Sequence, residues 1–211
     1  MKNKIMTLIV LVITYLLLKH FIPFGNIIAY PINLLVTFLH EFWHAFFALV
    51  TGGSVHWLVV NSDWSGVTTT SGWIRDFVVA GGYLWSAIFG NLLLYIGFKK
   101  EKLAENILYF LSALMVFVSV FWYNWIASSL IIIALAGVLF SLAKFTKFDS
   151  IILQFLWISS IIFIIEDFNV WPSSDLAHFS KFLPESVWMI VWLILVIAMT
   201  LWNLKIIFKK K

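Results

Sequence analysis

The sequence predicts an all-α polytopic membrane protein: about seven transmembrane helices, or six, with a short interfacial β-hairpin after the second. Three observations carry this. Of the 211 residues, 63% are hydrophobic and 11% are charged, against roughly 45–50% and about 25% in soluble domains. No soluble fold of this length hides that much apolar surface, so lipid is the solvent for most of the chain. Apolar stretches of spanning length also recur along the sequence, parted by short polar clusters. Finally, the chain carries 12 Trp and is 18% aromatic, a composition suited to the headgroup region.

The first stretch covers residues 5–22. Its basic start resembles a signal peptide, but no small-x-small cleavage site follows, so it reads as an uncleaved first span. Pro23 and Gly25 break it. The second stretch opens at Pro31, a favourable first helical residue, and runs to residue 50, where Thr51-Gly52-Gly53 ends it. Residues 54–72 differ in kind. A β-rich run, Val55 to Val60, and a β-branched run, Val67 to Thr70, flank the turn residues Asn61-Ser62-Asp63, which predicts a hairpin. Open strands are not tolerated against lipid, so it must pack on protein or line a wet cavity. His56 reads as a hairpin surface residue.

The third stretch covers residues 76–98. Gly82, Ser86 and Gly90 share one face of it, a small-residue stripe that suits close helix packing better than substrate binding. The fourth and fifth cover 103–143, hinged near Tyr123-Asn124, and the sixth covers 151–165. A polar connection over 166–185 follows. There Ser173 or Ser174 can cap a short helix with Asp175 in its first turn. The last stretch covers 186–204. The whole reads as a single integral membrane domain over 1–211. Basic residues sit at segment ends, as in membrane proteins generally. A net charge of +4 is no signal for nucleic acid, and none is expected as a partner. The absence of cysteine excludes disulfides and thiolate metal sites, leaving His, Asp and Glu as donors.

The chemistry concentrates in His40-Glu41-Phe42-Trp43-His44, a His-Glu-x-x-His motif inside an apolar helix. Residues four apart lie one turn apart on the same face, so both imidazoles can reach one metal ion. Glu41 stands beside them as a general base for an attacking water. With a helix starting at Pro31, His40 lies about 14 Å along it, near mid-depth in a hydrocarbon core of about 30 Å. A charge there costs roughly 2.5–3.5 kcal/mol, and such residues mark function in membranes. Mere hydrogen bonding between helices explains polar residues, but not this spacing.

A catalytic zinc ion takes three protein ligands and keeps one position open. Position 50 is Val50, so no third histidine follows on the same helix. The polar connection supplies the candidates: Asp175 first, then Asp167 or Glu166, then His178.

On these residues the chain resembles the site-2 protease family of intramembrane zinc metalloproteases, in its small bacterial branch without PDZ or CBS domain. The resemblance rests on His40-Glu41-Phe42-Trp43-His44, Thr51-Gly52-Gly53, Ala80-Gly81-Gly82-Tyr83-Leu84, and Asp175 followed by Phe182-Leu183-Pro184 and an apolar helix. It implies that His40, His44 and Asp175 bind zinc (Zn2+) and that Glu41 is the general base. It implies a multi-pass protein of the cell membrane whose substrates are membrane proteins, cleaved within or beside their spans. The hairpin matches one that pairs with an unwound substrate strand in that family. The chain departs from the longer branch in offering only Asn169-Val170-Trp171-Pro172 before Asp175. That departure counts against an oxyanion role for Asn169, which is kept as a candidate beside His178, a candidate for a role behind the ligands. Two other functions compete: a catalytically inactive relative that binds membrane proteins, and a metal or proton transporter.

Overall fold

The computed structural model describes residues 2–72, 74–167 and 175–209. Its helices are α1 (Lys2–His20), α2 (Gly25–Val50), α3 (Arg75–Lys99), α4 (Ala104–Phe121), α5 (Ile126–Phe145), α6 (Asp149–Asp167), α7 (Asp175–Phe179) and α8 (Glu185–Phe208). Two strands, β1 (Ser54–Val60) and β2 (Gly66–Ser71), form one antiparallel hairpin.

Among the described residues, six helices are long and apolar enough to cross a membrane: α2, α3, α4 with the 3-10 turn before it, α5, α6 and α8. The count is thus the lower of the two expected. The seventh long helix, α1, is not one of the six. Its uncharged stretch between Lys4 and Lys19 is 14 residues, about 21 Å at 1.5 Å per residue, short of a hydrocarbon core of about 30 Å. It packs on α2 and α6. Tyr15, fully buried, donates to Asn33 Oδ1 on α2 at 3.1 Å.

α2 is the hub. It touches α1, α3, α5, α6 and both strands, and it is the most buried of the six spans. It begins at Gly25, six residues before the expected start, with Pro31 inside it. Proline there removes one backbone donor, which a membrane helix tolerates when its neighbours cover the freed carbonyl. The main core joins α2 residues Leu34, Leu35, Val36, Phe38 and Leu39 to the hairpin's Leu58 and Val60 and to buried side chains of α4, α5 and α6. α3 packs on α6 and α8. There the expected small-residue stripe meets its partner: Gly90 lies against Ser160 and Trp157 of α6.

The hairpin runs along α2. Its turn is fastened to that helix, with Tyr30 Oη donating to Ser62 O at 2.8 Å and Thr37 Oγ1 to Trp64 O at 2.8 Å. The outer edge of β1 is covered, since Leu58 N donates to Trp122 O at 3.1 Å and Val60 N to Ser128 Oγ at 2.8 Å. Among the described residues, β2 pairs with β1 alone. The register slips between Val55 and Trp57, placing His56 at a bulge, where it is exposed. One strand edge is thus closed by protein, and the other is left beside the cleft described below.

Candidate metal centre

Three donors from two distant parts of the chain converge. His40 Nε2 lies 3.0 Å from Asp175 Oδ2, His44 Nε2 lies 2.9 Å from the same oxygen, and the two Nε2 atoms are 3.1 Å apart. Among the described residues, this is the one group of three or more His, Asp or Glu donors placed to share an ion. A tetrahedral zinc with bonds of about 2.0–2.2 Å has ligand–ligand edges of roughly 3.3–3.6 Å. The triangle therefore needs only a few tenths of an ångström of opening, and the donor set of two imidazoles and one carboxylate suits zinc.

Each donor is placed by something identifiable. α2 brings His40 and His44 to one face, one turn apart, and both are buried. His44 Nδ1 donates to Val78 O on α3 at 2.8 Å, which fixes the tautomer and leaves Nε2 with a lone pair for a metal. His40 packs beside Phe163 and Tyr83, ring centroids 5.3 and 5.8 Å away. Beneath both imidazoles lies Gly82. A Cβ there would stand 2.5 Å from His44 Cε1 and 2.7 Å from His40 Cε1. The small-residue stripe thus divides its work: its Gly90 end packs helices, and its Gly82 end clears room for the imidazoles.

Asp175 begins α7 and is half-buried. Burial works to raise its pKa. The neighbouring His44 and His40 outweigh that and hold the carboxyl below the usual range. Two residues, Asp76 and Trp188, pin α7. His178 Nε2 and Asp76 Oδ1 on α3 are 2.6 Å apart, and Lys181 Nζ donates to the same oxygen at 3.0 Å. Trp188 Nε1 on α8 donates to Phe179 O at 2.9 Å. His178 therefore faces α3 instead of the ligand triangle.

The other candidates fall as follows. Glu166 pairs with Lys19 on α1. The Asp167 side chain and all of Asn169 lie outside the described residues. Glu41, buried on α2, is held by the hairpin: Thr68 Oγ1 lies 2.7 Å from Glu41 Oε2 and 2.9 Å from Glu41 O. Gly66 of β2 makes this close approach feasible, because a Cβ there would stand 2.6 Å from Glu41 Cγ and 2.8 Å from Thr37 Cγ2. Sequence reading did not single out Thr68, Gly66, Asp76 or Val78. A run of β-branched residues and a first-turn aspartate carry no local mark of such partners.

Two clefts meet here. One, about 630 Å³, is lined by polar residues of α1 and α2 (Lys19, Asn26, Asn33) and by Glu166, and reaches His40. The other, about 480 Å³, runs along Val67 to Thr70 of β2, past Arg75 and Val78, to His44. Glu41, Gly66 and Asp175 line both. In the hairpin turn beside the first, the Ser65 hydroxyl and amide hold the Asp63 carboxyl below its ordinary range.

No curated protein and no solved structure matches the chain. The family model described as Peptidase M50B-like matches residues 6–203. With six membrane-spanning helices around an intramembrane His-Glu-x-x-His, the chain belongs to that family, the site-2 protease family of intramembrane metalloproteases.

Proposed function

We propose that this protein is a zinc metalloendopeptidase of the cell membrane, hydrolysing peptide bonds of membrane-protein substrates within or near their transmembrane segments. The observation that carries the reading is the juxtaposition of the donor triangle, His40, His44 and Asp175, with Glu41 in the same two clefts. When bound there, zinc supplies a Lewis acid that polarises the scissile carbonyl and makes water a better nucleophile. The chain's residues do the rest. His40, His44 and Asp175 hold the ion. Glu41 takes a proton from the attacking water and passes it to the leaving amine. Thr68 holds Glu41 Oε2. β2, paired only on its β1 side, offers its other edge to an unwound substrate strand by β-augmentation. Asn169 stays a candidate oxyanion partner.

An inactive binding relative has no use for a carboxylate held at this junction. A metal or proton path would continue through further ionisable residues, whereas α4 and α5 carry acidic or basic residues only at their ends.

The deciding experiment is the metal content of the detergent-purified protein beside His40→Ala and Asp175→Ala variants. About one zinc per chain, lost in both, together with a Glu41→Gln variant that keeps zinc and loses cleavage, is expected. A folded wild type that takes up no zinc after reconstitution sinks the reading. Zinc kept by Asp175→Ala moves the third ligand elsewhere.

A further inference from the structure

The cleft along β2 is out of charge balance. Three carboxylates stand at or beside it, and each has its partner. Glu41 accepts from Thr68, Asp175 lies against the two imidazoles, and Asp76 takes His178 and Lys181. The cation lining the cleft has none. Arg75, the single arginine of the chain, is exposed and lines the cleft together with Thr68, Thr69 and Thr70. Among the described residues no ion pair or hydrogen bond engages its side chain. Its own neighbour Asp76 turns away to α7.

A guanidinium offers a planar fork of donors that matches a carboxylate in two parallel hydrogen bonds. This fork lies in a cleft whose far end is the metal centre and whose wall is an unpaired strand edge, so the occupant that meets it is the peptide strand being cut. We propose that Arg75 is a specificity residue that pairs with an acidic side chain of the substrate strand laid against β2. The proposal rests on the protease reading above. The strand sets the distance. Thr68 holds the base, and Gly72, four positions on, is the cleft-lining residue nearest before Arg75 in sequence. At about 3.3 Å per residue this is roughly 13 Å, so the preferred acid lies about four residues from the scissile bond. A lipid phosphate at Arg75 is the competing occupant, and the test separates the two.

The test measures binding to the zinc-loaded Glu41→Gln protein in vesicles of zwitterionic lipid, so that it does not depend on turnover. The probes are fluorescent single-span peptides alike except for Glu or Lys four residues from the central bond, on either side of it. A charge-assisted pair of this kind is worth about tenfold in affinity. The Glu41→Gln protein is expected to favour one Glu peptide over its Lys counterpart about tenfold. Adding Arg75→Glu is expected to invert that preference, and Arg75→Lys to weaken it. With wild-type Glu41 restored, the same preference is expected in KM and not in kcat. Equal binding of Glu and Lys peptides, binding of neither, or an Arg75→Glu effect that follows the anionic-lipid content of the vesicles and ignores peptide charge overturns the proposal. A charge preference in binding without cleavage by the wild type instead overturns the protease reading and leaves the Arg75 pairing standing.

Discussion

Thr68 shows how much one hydroxyl can do in a buried site. Its oxygen lies within hydrogen-bond distance of both the carbonyl and the carboxylate of Glu41, so the base cannot swing freely on its two-carbon stem. Thr68→Val keeps the shape and removes the hydroxyl. It is expected to lower kcat roughly 10- to 100-fold, the size of loss when a positioned general base is misaligned, with zinc content and KM unchanged. Thr68→Ser is expected to restore most of the rate. A fall in zinc content, or a rise in KM with kcat intact, would show the hydroxyl acting on the ion or the substrate instead. The motif was legible in sequence because its spacing sets positions i and i+4 on one helix face, and the structure gathers His40 and His44 there beside Asp175. Thr68 was not. It stands in the run Val67-Thr68-Thr69-Thr70, whose members look alike until the hairpin's register against α2 is known.

At the scale of elements, α7 is the vulnerable part. It is five residues long, too short to hold itself as a helix in isolation, and yet it carries Asp175. What holds it is borrowed: Asp76 of α3 on one side and Trp188 of α8 on the other. Asp76→Asn is expected to weaken zinc binding about 10- to 100-fold, the range for partners that orient ligands, measured by competition with a chromophoric chelator. Unchanged affinity would mean that α8 alone suffices. A short helix with Asp175 in its first turn was expected, and α7 is such a helix; the expected cap, Ser173 or Ser174, lies outside the described residues. The tether of α7 was not expected, because Asp76 and His178 are 102 residues apart and nothing local in either announces the other. The start of α2 was misplaced for a related reason. Proline favours a first turn, and whether it can sit deeper depends on what packs around it.

Across the whole molecule, the contact between His40 and Asp175 joins the middle of α2 to a segment 135 residues later. An ion held there would link its binding to tertiary structure. Zinc held a thousandfold above its Kd stabilises the folded state by about 4 kcal/mol. For a chain of this size that corresponds to a rise in Tm of roughly 8–16 °C, read by thermal unfolding of chelator-stripped protein before and after zinc is added. Asp175→Ala is expected to lose most of that rise, and a stripped protein whose Tm ignores zinc would contradict the linkage. The membrane class was open to reading from composition alone, since so apolar a chain has no other solvent. The number of spans was not, because α1 is uncharged from Ile5 to Leu18 and only the placement of Lys4 and Lys19 limits that length.

The meeting of the two clefts at Glu41, Gly66 and Asp175 has a further meaning for the traffic of reactants. The proposed hydrolysis would consume one partner that belongs to lipid and one that belongs to water, and a single-mouthed pocket would make them queue. Here the polar passage lined by Asn26 and Asn33 arrives from one flank, and the threonine-lined strand edge from the other. On that reading a peptide filling the second would leave the first open, so water could be replenished while the chain to be cut is still in place.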